Sequence, residues 1–317
     1  MSTPTPVFLD CDTGIDDSVA LAYLLRSPAI DLVGVGTVSG NTDSAQAARN
    51  TLDLLAVADR DDIPVAVGAH DFTSHPYGGG APHVHGDNGV GDVVLPTSSQ
   101  PVDERTAVQL LIDLSHTYAG TLHLLTIGPL TNIAAALAAD PTLPERIAAV
   151  TTMGGTALAA GNISPVAEAN IGNDPEAASV VFSADWDVTI VPLDVTMEHT
   201  LSDADRHALL ESSSPLARAV GEILDHYLDF YLPQYGERLS SLHDPLAAVI
   251  AAGAATITRA PLVPVQVDTT DGPGRGQTVV DLRGQRLGDR NHEGVRTRFV
   301  RDVESGTAAH LVEIITS

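Results

Sequence analysis

Val7-Phe8-Leu9-Asp10-Cys11-Asp12-Thr13-Gly14-Ile15-Asp16-Asp17 passes from an apolar run into a stretch carrying Asp10, Asp12, Asp16 and Asp17. Val7–Leu9 reads as the end of a buried strand, and Val19, Ala20, Leu21, Leu24 and Leu25 follow at helical spacing. The acids therefore lie where a strand gives way to a helix. That is the carboxyl edge of a sheet, where α/β proteins bind ligands. Like charges this close repel, and proton sharing or a hard cation relieves them. Helix capping needs one side-chain oxygen, so it does not account for the cluster.

The same rhythm continues outward. Strand-like runs stand at Leu32–Val38, Leu122–Ile127, Ala149–Met153 and Val188–Leu193. Helix-like segments stand at Ser44–Ala58, Arg105–Tyr118, Asn132–Ala139 and Pro175–Ser183. This alternation predicts an α/β fold with a mainly parallel, doubly wound, Rossmann-like sheet and its site at the carboxyl ends of the strands. His70–Gln100 breaks the pattern with Gly78-Gly79-Gly80, several prolines and four histidines, and a loop of that length is usually functional. After Ser202 the chain turns helical; residues 203–235 read as a helical segment flanking the pocket and include Leu216–Leu232. Val263–Val267 and Gln277–Leu282 look like strands. No repeat or low-complexity linker divides the chain, so residues 1–317 are expected to form one domain.

Composition narrows the function. The formal charge is -25 and all 16 basic residues are arginine, which disfavours nucleic acid, anionic membranes and highly phosphorylated substrates. A single cysteine, Cys11, excludes an internal disulfide and points to a reducing compartment. Between two aspartates its thiol is a poor nucleophile, and it reads as a small buried filler. Met1–Pro6 lacks the marks of a signal peptide, and no apolar run approaches the ~20 residues that span a bilayer. A cytoplasmic protein is expected.

Polar groups close the other strands: Val38-Ser39-Gly40-Asn41, Thr126-Ile127-Gly128-Pro129, Met153-Gly154-Gly155 with Asn162, Glu168, Asn170 and Asp174 beyond, and His243-Asp244-Pro245 before the helix Leu246–Ala252. In a doubly wound sheet these ends converge. Together they describe a hydroxyl-rich ligand held by amides and acids around a cation bound through oxygen.

With these blocks in place the chain resembles the inosine–uridine nucleoside hydrolases. The opening acidic motif looks like that family's signature. The likeness continues through Asn41, His85-Gly86, Thr126–Asn132, Met153–Gly155, Gly161-Asn162, Pro165–Asn170, Asp174–Ala177 and His243–Pro245, in order over roughly four-fifths of the chain.

The resemblance implies hydrolysis of the N-glycosidic bond of a ribonucleoside with one bound calcium. Asp12, Asp17, the carbonyl of Thr126 and Asp244 would be its ligands, with water and the ribose 2′- and 3′-hydroxyls completing the shell. Asp12 would take a proton from the metal-bound water that attacks the anomeric carbon, through an oxocarbenium-like transition state. Asp16, Asn41 and Asn170 would hold the 2′,3′ edge of the ribose, Asn162 and Glu168 its 5′-hydroxyl, and Met153 would give apolar contact. His243 is the candidate acid for the leaving base, and His85 a second residue of the base pocket. Tyr227, Tyr231 and Tyr235 share a helical face. The resemblance favours Tyr227 and Tyr231 as a mobile aromatic wall over the base, with Pro233 ending or kinking the helix near the mouth. A homodimer or homotetramer and a role in nucleoside salvage are further implications.

Two positions depart from the family pattern. Thr13 stands where Pro is usual, but Gly14 keeps the turn, so the metal site is expected to survive. Ala169 stands where purine-handling members often carry an aromatic, which loosens the 5′ side.

Three other chemistries share parts of this pattern. Asp10-Cys11-Asp12-Thr13 imitates the motif of haloacid-dehalogenase-like phosphohydrolases, yet that class normally relies on a lysine and this chain has none. His83 and His85 with His70 or His75 could hold zinc, without support from any cysteine. A non-catalytic binder of nucleosides or sugars would be expected to lack one of the acids or His243.

Overall fold

Alternation along Thr5–Cys11 (β1) sends Val7, Leu9 and Cys11 into one core and Phe8 into the other. A strand buried on both faces belongs to a parallel sheet covered by helices on each side. The computed structural model describes residues 3–317 and has this architecture. β1, β2 (Ile30–Thr37), β3 (Val65–Val67), β4 (Leu122–Thr126), β5 (Ile147–Met153) and β6 (Val188–Val191) join Thr297–Phe299 in a seven-stranded sheet. Its order is β3-β2-β1-β4-β5-β6 with Thr297–Phe299 outermost, and every pairing is parallel. The chain builds outward from β1 to β3, then returns to lay β4 against the other side of β1. The sheet direction switches there, which opens a crevice at the carboxyl ends of β1 and β4.

The helix Ile15–Arg26 is the keystone of one layer. It is buried from Ile15 to Leu24 and packs against the helices His243–Ala251 and Pro215–Tyr235. Burying a side chain such as Leu21 or Leu24 contributes about 1.5–3 kcal/mol. The opposite layer buries Phe8, Leu110, Leu124, Ile133, Val181 and Trp186. A single α/β domain results, with the expected doubly wound parallel sheet.

Several local expectations shift. Pro192 stops β6 at Val191, and a short turn of helix, Leu193–Thr196, follows. The helix at 243 begins at His243 rather than Leu246, placing His243 and Asp244 in its first turn. Pro233 does not end its helix: the chain stays helical to Tyr235 and stops at Gly236, whose φ of 73° suits glycine. Inside the helix, proline gives up the hydrogen bond that its position would make to the Asp229 carbonyl. Val265–Val267 and Thr278–Val280 pair with each other, outside the main sheet. β3 and the edge strand Thr297–Phe299 were not anticipated. No helix among the described residues is long and apolar enough to cross a membrane.

Candidate active site

Asp12 leaves β1 just beyond the sheet edge, and its carboxylate is seated by glycines. A Cβ on Gly128 would lie 2.9 Å from its Oδ1, and one on Gly40 would collide with its Oδ2. Oδ2 accepts the Asn41 main-chain N–H at 2.6 Å, while the buried Oδ1 has no partner in the protein. Asp17, in the first turn of the following helix, accepts the N–H groups of Asp12 (3.2 Å) and Gly14 (2.8 Å). The Asn41 side chain donates to the same carboxylate at 3.0 Å. Asn41 thus spans both acids and leaves its side-chain oxygen for a ligand.

Asp16, Asp17 and Asp244 are buried and each offers an oxygen within 4.8 Å of the others. Burial, followed by the charges of its neighbours, pushes Asp12 and Asp244 well above the usual carboxylate range. Asp17 rises to about 7 for the same reasons, with Asp16 the leading charge. Such a site favours a bound cation, and its donors are all oxygen. The partnerless Asp12 Oδ1 and Asp16 Oδ1 fit that requirement. Asp16, read from the sequence as a ribose contact, sits among the candidate metal donors. Thr126 ends β4 in register with Asp10, two positions before Asp12.

Around this cluster the other residues divide. Glu168 is 2 % exposed and its carboxylate accepts the N–H groups of Gly155, Asn170 and Ile171 at 2.8, 2.8 and 3.1 Å. Burial outweighs those bonds and lifts it to about 7. The Asn170 amide donates to the carbonyls of Ile127 (3.0 Å) and Met153 (3.2 Å), tying the ends of β4 and β5 together. Met153 is buried beside it. Asn162 stands apart: it is exposed in the turn Gly161–Ala167, and its main-chain N–H bonds the Ala167 carbonyl.

The histidines and tyrosines form one connected group. His85 Nδ1 accepts the Ile15 N–H at 3.1 Å, so its remaining hydrogen is on Nε2. Burial and then His226 and His83 push His85 down to about 3, so its 4.0 Å approach to Asp16 is no ion pair. Tyr227 donates to Asp16 Oδ2 at 3.1 Å, and the Tyr231 hydroxyl lies 2.8 Å from His243 Nε2. Both rings are buried and meet edge to face, 5.0 Å between centroids. Tyr235 turns instead to Ser241 at 2.6 Å. His243 Nδ1 lies 2.7 Å from Thr196 Oγ1. Burial lowers the His243 pKa, against the opposing pull of Asp16.

Sequence reasoning assigned no role to three residues here. Asn132 donates to Asp10 Oδ1 (2.8 Å) and the Thr37 carbonyl (3.0 Å), bracing the motif from below. Asp194 accepts the N–H groups of Ala157 (2.8 Å) and Leu158 (2.7 Å), gripping the loop after β5. Thr196 is the third, and its place just beyond β6 was the available signal. Thr13 fills its position through a 2.7 Å contact with Thr51 Oγ1, and the Asn50 amide holds its carbonyl at 3.1 Å. Cys11 is buried, with its thiol raised well above its ordinary value by burial.

Comparison with known proteins agrees with this geometry. The family model described as inosine-uridine preferring nucleoside hydrolase matches residues 7–308. Uridine nucleosidase 1 of Arabidopsis thaliana is 36% identical over 247 residues, 77% of this chain and 72% of its own length. The inosine-uridine preferring nucleoside hydrolase of Crithidia fasciculata is 35% identical over 285 residues, 89% of this chain and 90% of its own. Among solved structures, a plant nucleoside hydrolase superposes with a TM-score of 0.91 at 29% identity, covering 99% of both chains. The purine-preferring ribonucleoside hydrolase from Gardnerella vaginalis gives 0.88 at 29% identity over 98% of both. With the acidic motif, the switch-point crevice and these matches in hand, the chain belongs to the inosine-uridine preferring nucleoside hydrolase family, the N-glycosyl hydrolases of ribonucleosides.

Proposed function

We infer that this protein cleaves ribonucleosides to ribose and free base with calcium as its resident ion. The observation that carries this reading is the convergence of buried Asp16, Asp17 and Asp244 beside an Asp12 whose Oδ1 has no protein partner. Asp12, Asp17, the Thr126 carbonyl and Asp244 are the proposed ligands, with Asp16 adjoining them. Calcium suits an all-oxygen, carboxylate-rich set, and when bound it supplies acidity to water and a template for vicinal hydroxyls.

The remaining work falls to the chain. Asp12 accepts the proton of the attacking water, with Asn41 and the glycine seat fixing its carboxylate. Asp16, Asn41 and Asn170 take the 2′- and 3′-hydroxyls. Glu168 and Asn162 are assigned to the 5′-hydroxyl, which requires Asn162 to reach inward from its exposed turn. The ring of carboxylates favours the positive charge that develops on the ribosyl group as the bond breaks. Met153, His85, Tyr227 and Tyr231 line the side of the sugar and base, and His243 assists departure of the base from behind Tyr231.

The test is ribose release. Purified protein with calcium is incubated separately with inosine, uridine, cytidine, adenosine and guanosine, and free ribose is assayed. Release from any of them supports the reading, and the rate order gives the base preference that Ala169 leaves open. No release from all of them, with calcium bound and the fold intact, favours a silent nucleoside binder instead. Size measurement of the same sample distinguishes a monomer from the proposed dimer or tetramer.

A further inference from the structure

Both ring nitrogens of His243 are engaged in a buried chain. Thr196 Oγ1 is 2.7 Å from Nδ1 and the Tyr231 hydroxyl 2.8 Å from Nε2. Thr196 is 0% exposed, His243 6% and Tyr231 8%, so water does not complete their bonding freely. A threonine hydroxyl carries one hydrogen, and a buried hydroxyl that finds no acceptor is costly. Among the described residues His243 Nδ1 is the one partner of Thr196 Oγ1. If Nδ1 held the ring hydrogen, the Thr196 hydrogen would have no acceptor. If Thr196 donates, its hydrogen and both ring nitrogens of His243 are satisfied.

We propose that Thr196 is a positioning residue: its hydroxyl donates to His243 Nδ1 and fixes the neutral ring in the tautomer protonated on Nε2, facing Tyr231. The hydrogen bonds then run in one direction, from Thr196 to His243 to the phenolic oxygen of Tyr231. The Tyr231 hydrogen is then not held by His243 and is available to another acceptor. A base leaving with the electron pair of its glycosidic nitrogen is such an acceptor. The relay stabilises that charge by hydrogen bonding, and no bond forms or breaks within it. The opposite tautomer would turn Nε2 into an acceptor and draw the Tyr231 hydrogen away from the base.

Thr196 is fixed independently of His243. Its segment, Leu193–Thr196, starts at Pro192 and is held by the Leu193 N–H on the Gly155 carbonyl at 2.9 Å. The hydroxyl therefore acts from a rigid turn, as a group that orders a neighbour should. This role rests on the assignment of His243 to base departure made above.

Thr196→Val and Thr196→Ser separate position from packing, since valine keeps the shape and serine keeps the hydroxyl. On natural nucleosides Thr196→Val should lose about tenfold or more in kcat with KM little changed, and Thr196→Ser should stay near the parent. On 4-nitrophenyl riboside, whose leaving group needs no help, both should match the parent. Nitrogen-15 spectra of the histidine-labelled holoenzyme at mildly alkaline pH should give His243 a bare Nδ1 and a protonated Nε2. A protonated Nδ1 in the parent overturns the proposal even if every variant misfolds. So does equal loss on both substrates, or a valine variant as fast as the parent. Full turnover of uridine by His243→Ala overturns instead the role of His243 on which this one stands.

Discussion

The main-chain N–H of Asn41 lies 2.6 Å from Oδ2 of Asp12, so the loop after β2 aims the carboxylate that leaves β1. One oxygen is pinned and the other is left without a protein partner. That asymmetry is what a base needs when one lone pair must meet water. Asp12→Asn keeps the shape and removes the basicity. Turnover should fall about a hundredfold or more, with the circular dichroism spectrum unchanged. A variant keeping above about a tenth of parent activity would dismiss Asp12 as the base.

Stripping the protein with a chelator should abolish ribose release, and calcium should restore it. Magnesium should restore less, because its small octahedral shell fits a crowded carboxylate set poorly. Calcium at a hundredfold excess over its Kd should also stabilise the fold by about 2.7 kcal/mol, visible as a raised Tm. Undiminished activity after metal removal verified by elemental analysis refutes the metal model.

Gly128→Ala tests the seat of Asp12. The added Cβ would stand 2.9 Å from Asp12 Oδ1 and 2.9 Å from Val38 Cγ1, closer than such atoms pack. Relief costs about 1–3 kcal/mol of stability and displaces the carboxylate. The expected outcome is a folded protein with a kcat reduced about tenfold or more. Parent-level kcat in this variant would show that Asp12 tolerates displacement.

Leaving-group dependence tests His243. His243→Ala should slow inosine and uridine by about a hundredfold while leaving 4-nitrophenyl riboside nearly untouched. Equal losses on both would remove His243 from base departure and make its contact with Tyr231 a matter of packing.

Acid sensitivity should trace in part to His123, far along β4 from the chemistry. Burial lowers its pKa from 6.5 to about 4, and its Nε2 lies 2.9 Å from Thr151 Oγ1. Between those two values the unfolded chain takes up a proton that the folded chain refuses. Its contribution is therefore intact above about 6.5 and declines as pH falls toward 4. His123→Gln should reduce the drop in Tm between neutral pH and pH near 5. An identical drop in parent and variant would exclude His123 as a source.

Much of the fold was legible because burial on both faces writes mainly apolar runs, as in Val7–Leu9 and in Leu122–Leu125, which only His123 interrupts. Pro175–Ser183 was bounded correctly at both ends, since proline opens it and Asp174 caps it. What escaped was short. β3 spans Val65–Val67, and the edge strand Thr297-Arg298-Phe299 alternates too briefly to stand out. At the site, residues on the acidic motif and the strand ends were readable because chemistry demands unusual local composition there. Their partners were not. Tyr227 reaches Asp16 across 211 positions, and Asn132 reaches Asp10 across 122. Such pairings depend on how helices lie over the sheet, which no local spacing encodes. The tyrosine face was seen, but not that its hydroxyls were bound to Asp16 and His243.

The turn Leu193–Thr196 has a consequence for anyone redesigning specificity. Asp194 clasps the main chain of residues 157 and 158, and Thr196, two positions on, touches His243. The loop that leads to Glu168 and His243 are therefore both anchored on one short rigid turn. Grafting a foreign loop over residues 156–168 without its matching turn would disturb the leaving-group assistance proposed for His243 as well as the sugar recognition proposed for Glu168. The two should be exchanged together, as one cassette.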